Sequence, residues 1–385
     1  MLQPSLDSPE RFYTFYYDES NNARKLCINE HENSYNVDND KKQVAAANFM
    51  LGGVAHKGHS TATDVEALFA NLHLQPSAKE LKFKHVAKGS FDMVLKSQQI
   101  RALLKWLLES DLYLHYFNLN VEYWSFIDII DDCVLHCLQL GQLVFPHDRL
   151  HRYYADYHKD ALYRLIRARK SEFIALAKLY GYPSIEGKEG KFVVALNSLV
   201  KDHVMKLTNQ QPAPVQEDVK PFRSLVELLD LCVGIDDMTL TLGTDENILI
   251  DGFSVFYQHR AGLFPHSQHV FDEEDEVEED IMKAAAYEVP PKIQCSFVKS
   301  VLSPLTQVSD VVAGLYARYF DFIEKSTYED LATLGAGLAP LQRENLALMK
   351  ALVEKTDEEC PLMLFYVMTL SEHKKHRLFL FPEAA

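Results

Sequence analysis

The sequence has no excess of positive charge, no paired-cysteine framework, no membrane-length apolar run and no internal repeat, and each absence removes a class of protein. Lys and Arg number 39 against 55 Asp and Glu, a formal net charge of −16. That argues against a chain whose whole surface adheres to DNA or RNA. It leaves a nuclease open, because a carboxylate-lined metal site adds negative charge where the cation sits. The six cysteines (Cys27, Cys133, Cys137, Cys232, Cys295 and Cys360) are scattered and suggest no disulfide framework. The opening MLQPSLDSPERF has no basic region followed by an apolar run, so no signal peptide is expected. No stretch approaches the roughly 18–20 apolar residues of a membrane span. A reducing cytoplasm is the expected setting, with no membrane partner.

What is present is ordinary globular composition, 47% hydrophobic over 385 residues, long enough for a large core or two domains. Arg11–Tyr17 is aromatic-rich and reads as a strand ending in the turn residues Asp18-Glu19-Ser20-Asn21-Asn22. A polar loop follows. Gln43–Ala55 reads as a second strand, doubly buried, with Gly52-Gly53 allowing a bulge or a close approach. Thr63–Leu74 and Ser97–Glu109 have helical patterns, and Leu112–Glu122 alternates like a strand. Four helices are expected at Ile127–Leu140, Leu150–Leu179, Lys191–Leu207 and Pro221–Leu231. Strand character returns at Glu246–Gly252 and Ile293–Val298. A helix is expected from Pro304 to Glu324, and then a tail of helix, apolar segment and short strand.

This order predicts an α/β protein built on one sheet. Residues 1–125 and 245–325 form its split core, 126–244 a helical insertion, and 326–385 a C-terminal helical extension.

Four acids stand out by their context. Asp18 closes the first strand, Glu80 lies in the charged segment Lys79–Lys84, Asp251 closes a later strand, and Asp310 sits in the first turns of a helix. Acids at the carboxyl ends of neighbouring strands converge on the edge where open α/β sheets bind ligands. Hard oxygen donors there favour Mg²⁺ or Mn²⁺. Two such ions can hold an attacking water and a leaving oxygen in line on a phosphodiester. Any single acid of this kind is more often a turn residue or a helix cap.

The set resembles a known pattern. Tyr16-Tyr17-Asp18-Glu19-Ser20-Asn21, Phe49-Met50-Leu51-Gly52-Gly53-Val54, Glu80-Leu81-Lys82, Ile248-Leu249-Ile250-Asp251, Phe297-Val298-Lys299-Ser300 and Gln307-Val308-Ser309-Asp310-Val311-Val312-Ala313-Gly314 occur in this order. They resemble the motifs of the bacterial family labelled "domain of unknown function 3800", considered ribonuclease-H-like. Asn21 stands where that pattern has Gly, and Ser309 where it has Ala; neither change removes a carboxylate. The match covers roughly residues 11–125 and 245–325.

The resemblance implies a ribonuclease-H-like mixed sheet flanked by helices. It also implies a metal-dependent nuclease in which Asp18 bridges two metals, Glu80 and Asp251 each hold one, and Asp310 completes the second. A role in defence against mobile elements would suit such a protein. Lys82 could hold a phosphate or balance the acids, and Ser20 and Ser300 could donate hydrogen bonds nearby. Glu19 is expected to point to the opposite side of the strand end.

Outside the core, Arg164, Arg167, Arg169 and Lys170 follow the aromatic-rich His151–Tyr154 and form the best candidate for tracking a phosphate backbone. Cys133, His136 and Cys137 share a helix face, but no second ligand pair matches, so a half-buried face is expected. Asp272–Asp280 holds eight acids in nine residues and reads as a solvated loop. The competing expectation is a catalytically inactive ribonuclease-H-like scaffold that binds a protein or nucleic acid through its helical insertion.

Overall fold

A computed structural model describes residues 11–22, 25–29, 31–37, 48–72, 79–209, 216–286 and 294–382. The start of the expected second strand, residues 43–47, lies outside the described residues. Aromatic and β-branched residues buried on both faces build the central strand β1 (Tyr13–Ser20). Tyr13, Phe15 and Tyr17 enter one apolar layer while Tyr16 packs into the other. Even-numbered β1 residues therefore share one face and odd-numbered residues the other.

The other strands are β2 (Lys25–Ile28), β3 (Tyr35–Val37), β4 (Asn48–Lys57), β5 (Tyr113–Asn120), β6 (Ile248–Asp251), β7 (Gln268–Asp272), β8 (Gln294–Val298) and β9 (Leu364–Val367). Six of them form a mixed sheet in the order β8-β7-β1-β4-β5-β9, and β3-β2-β6 form a second, three-stranded sheet. β1, β4 and β5 run antiparallel in succession. β7 and β8 lie parallel to β1 on its other side, and β9 lies parallel to β5. Parallel pairing places the carboxyl ends of β1, β7 and β8 along one edge. The protein is thus α/β, as expected.

The long helix Pro304–Lys325 crosses one face of the sheet, burying Val308, Val311, Val312 and Leu315. Small residues permit its close approach. A β-carbon on Gly53 of β4 would lie 2.2 Å from Ser309 Oγ, and one on Gly314 would lie 2.5 Å from the Phe83 ring. On the opposite face, helices Ser254–Gly262 and Asp275–Ala286 cover the layer built from Phe15, Tyr17 and Phe271.

Three corrections to the expected layout follow. Strand β6, expected in the main sheet, belongs to the second sheet, where it pairs with β2. The acidic run is not a loop: Asp272 ends β7, and Asp275–Ala286 is a helix. Its first turn holds Asp275, Glu276 and Glu278, where the helix dipole favours negative charge. The tail is no appended extension. β9 is an edge strand of the main sheet, and helix Pro340–Glu359 buries Met349 and Leu352 in the same layer as Pro304–Lys325.

The middle of the chain is helical as expected, at Asp128–Gln139, Asp148–Ala168, Lys170–Tyr180, Glu189–Thr208 and Gln216–Leu231, but the single helix expected at Leu150–Leu179 is divided at Arg169, whose φ of −130° breaks it. They share their own apolar cluster, which includes Cys133, Cys137 and Cys232. Those cysteines are buried, so the apolar-face reading of Cys133 and Cys137 stands. Among the described residues no helix is long and apolar enough to cross a membrane.

The tail is tied down by a buried polar contact. Glu372 accepts hydrogen bonds from the Thr369 amide (2.7 Å) and from Asn120 Nδ2 (2.8 Å). Burial raises its carboxyl to about 7, Glu324 adds to the rise, and these donors oppose it. Between the ordinary value of 4.5 and about 7, the folded chain keeps a proton that the unfolded chain has released. Stability therefore falls as pH rises through that window. Urea unfolding at successive pH values should show this fall, and Glu372→Gln should flatten it; an unchanged slope in the variant would disprove the assignment.

Candidate active site

Two neighbouring parallel strands end in acids on one face. Tyr16 pairs with Val270 and Tyr17 with Phe271, so Asp18 and Asp272 follow side by side at the carboxyl ends of β1 and β7. Helix Pro304–Lys325 brings Asp310 over the same edge, held there by the Gly53–Ser309 approach. Lys82, just before the short helix Phe83–Val86, points its ammonium into the middle. Its Nζ lies 3.6 Å from Asp18 Oδ2, 3.6 Å from Asp272 Oδ2 and 3.1 Å from Asp310 Oδ2.

Backbone and side-chain donors fix each acid. Asp18 Oδ1 accepts from the Glu19 amide (2.7 Å) and Asp310 Oδ1 from the Phe83 amide (2.5 Å). Asp272 Oδ1 accepts from the amides of Glu273 and Ser300, both at 3.0 Å. The Ser300 hydroxyl donates to Glu80 Oε2 (2.9 Å), so Glu80 joins the cluster through Ser300. Gln307 locks both segments: its Nε2 donates to Ser300 O (2.9 Å) and its Oε1 accepts from the Leu81 amide (2.7 Å).

The electrostatics are under-compensated. Burial raises the Asp18 carboxyl well above its ordinary value; Glu19, Asp310 and Asp272 add to this and Lys82 opposes it. Burial alone would lower the Lys82 ammonium, but Asp18, Asp310 and Asp272 outweigh it and hold it above its ordinary value. Asp18 Oδ2 is buried and accepts no hydrogen bond. A buried oxygen of this kind is costly unless a cation faces it.

Glu19 lies on the other face of β1, as expected, where the Tyr257 hydroxyl donates to it at 3.3 Å. It is half-buried there, and burial together with Glu274 and Asp272 pushes it up to about 7.

The structure brings together Asp18, Glu80, Lys82, Ser300 and Asp310, and does not bring Asp251 to them. Asp251 lies on the second sheet, its side chain 66% exposed, paired with Lys25 at 3.1 Å. The strand-end acid beside Asp18 is Asp272 instead, which the sequence hid inside its acidic run. The one local signal was Val270-Phe271, a β-branched and an aromatic residue leading into an Asp, the pattern that marked Asp18. Ser20 is the last residue of β1 and half-buried.

The basic helix is committed elsewhere. Arg167 pairs with Glu122 and Glu324, each at 3.2 Å, and Arg164 stacks 5.3 Å over the Phe222 ring. Arg169 pairs with Glu172 and Asp202, and Lys170 with Glu122, all at 2.9 Å. Apart from Glu172, these partners are too distant in sequence for a local reading, and together they leave this basic segment a poor track for phosphates.

Among the described residues no group of three or more His, Cys, Asp or Glu side chains stands ready to hold a metal ion. Direct Mg²⁺ ligation needs oxygens at about 2.0–2.1 Å, whereas these acids surround an ammonium at 3.1–3.6 Å. In donor type and in charge, the acids fit a divalent cation, and Asp18 Oδ2 accepts no hydrogen bond that would compete; in spacing they are set around Lys82. Scans against protein-family models, curated proteins and solved structures found no match to this chain.

Proposed function

We propose that the chain is a divalent-cation-dependent phosphodiesterase acting on nucleic acid, with a ribonuclease-H-like core. Asp18, Asp272, Asp310 and Glu80 would hold Mg²⁺ or Mn²⁺. A mixed sheet flanked by helices, with an acid closing its first strand, is what the resemblance of the sequence implies, and its topology supports that reading. The observation that carries the proposal is the convergence of three carboxylates from β1, β7 and Pro304–Lys325 on a single ammonium, with the buried Asp18 Oδ2 accepting no hydrogen bond.

When bound, the cation supplies an activated water and neutralises charge developing on a phosphate. The chain's own residues pre-orient the donors. The amides of Glu19, Phe83, Glu273 and Ser300 each fix one carboxylate oxygen, which leaves Oδ2 of Asp18, Asp272 and Asp310 directed at the shared centre. Such fixed donors avoid reorganisation at the moment of reaction.

The test is incubation with single- and double-stranded DNA and RNA in Mn²⁺. Cleavage is expected, with loss in a chelator and in Asp18→Asn or Asp310→Asn. Retained cleavage in either variant would overturn the proposal. One observation favours the second reading, an inactive scaffold: an ammonium already occupies the centre of the acids. That reading expects no cleavage of any of these substrates by the wild type.

A further inference from the structure

We propose that Lys82 is a built-in competitor for the cation position, its ammonium occupying the centre of the acids until a divalent ion displaces it. This rests on the metal-dependent reading above. Its Nζ contacts Asp18, Asp272 and Asp310 at 3.1–3.6 Å, so ammonium and metal claim the same oxygens. One positive charge against three carboxylates leaves an excess of negative charge, which a divalent ion would neutralise more fully.

The local structure makes the exchange a side-chain event. On either side of Lys82, the backbone is pinned to helix Pro304–Lys325, with the Leu81 amide bound to Gln307 Oε1 and the Phe83 amide to Asp310 Oδ1. The Lys82 amide is itself held by His85 Nδ1 at 3.3 Å. Only the four-carbon stem is left to rotate, and 22% of the side chain is exposed, which provides the exit to solvent. Once displaced, the ammonium remains tethered at the mouth of the site, where it would meet the phosphate of a substrate. Lys82 thus opposes the cation in the free protein and faces the anion once displaced, so metal entry and anion entry support each other.

Mn²⁺ binding by calorimetry to the full chain, with no nucleic acid present, tests this. Lys82→Met should bind roughly tenfold more tightly than wild type, while Lys82→Arg, which keeps the charge, should not gain. Equal or weaker binding by Lys82→Met beside a wild type that binds would overturn the inference and leave the metal reading intact. Failure of both folded chains to bind would overturn the metal reading itself.

The wild type offers a second readout should the variant not fold. Acylation of Lys82 by an activated ester, followed by peptide mass spectrometry, should rise several-fold on adding Mg²⁺. Unchanged labelling in saturating Mg²⁺ would overturn the displacement.

Discussion

Asp272→Asn should abolish cation-dependent cleavage, and Asp251→Asn should leave it unchanged. The two acids look alike in sequence, each closing a short apolar strand, but they occupy different sheets. Asp272 lies 3.6 Å from the Lys82 ammonium, whereas Asp251 is exposed and paired with Lys25. The substitution is a clean one. Asparagine keeps Oδ1 to accept from the Glu273 and Ser300 amides, so the strand end stays in place while the charge on Oδ2 is lost. Changes to the surroundings of a metal site typically cost 10–100-fold, so loss of a direct ligand should cost about 100-fold or more. Rates under Mn²⁺, measured beside thermal unfolding of each variant, decide the matter. An active Asp272→Asn protein, or an inactive but folded Asp251→Asn protein, would refute the assignment of the acids.

Gly53→Ala should be among the most destabilising single changes on the sheet. The added β-carbon would lie 2.2 Å from Ser309 Oγ, 2.4 Å from Ser309 Cβ and 2.3 Å from the Tyr16 carbonyl oxygen. None of these is the far end of a flexible side chain. Ser309 Oγ is itself bound at 2.8 Å to that carbonyl oxygen and at 3.3 Å to the Val54 amide. To make room, helix Pro304–Lys325 must lift from β1 and β4, taking Asp310 with it. Overpacking of this kind costs roughly 3 kcal/mol at the upper end of its usual range. Urea unfolding should show the loss, and Mn²⁺ binding should weaken with it. Gly335→Ala serves as control, because a β-carbon there meets nothing and alanine suits a helix. A Gly53→Ala protein within about 0.5 kcal/mol of wild type would mean the helix is free to retreat.

Much of the fold and part of the site were legible locally. Tyr13–Ser20 announces itself by its richness in aromatic residues, and Gly52-Gly53 by the lack of side chains that allows a close approach. Asp310 was readable because Ala313 and Gly314 mark a helix pressed onto its neighbours. Asp272 was not, because eight acids in nine residues give a solvated run and an acid of the cluster the same local pattern. What distinguishes Asp272 is the parallel pairing of β7 with β1, a contact between residues more than 250 positions apart. The pairing of Arg167 with Glu122 and Glu324 escaped for the same reason. The strand β9 was expected only as part of an extension, because nothing in Leu364–Val367 says which sheet edge it joins.

By itself the sequence determined the α/β class and the helical middle, and it singled out Asp18 and Asp310, which the fold brings together around Lys82. Those follow from periodicity, turn chemistry and small-residue spacing, all of which act within a few neighbouring residues. Tertiary structure alone decided that Asp272 and not Asp251 stands beside Asp18, and that Lys82 sits at the centre of the acids. It also decided that the tail closes the sheet. These are choices of strand partner, set by which apolar faces bury together across the whole chain, and no local window contains that information.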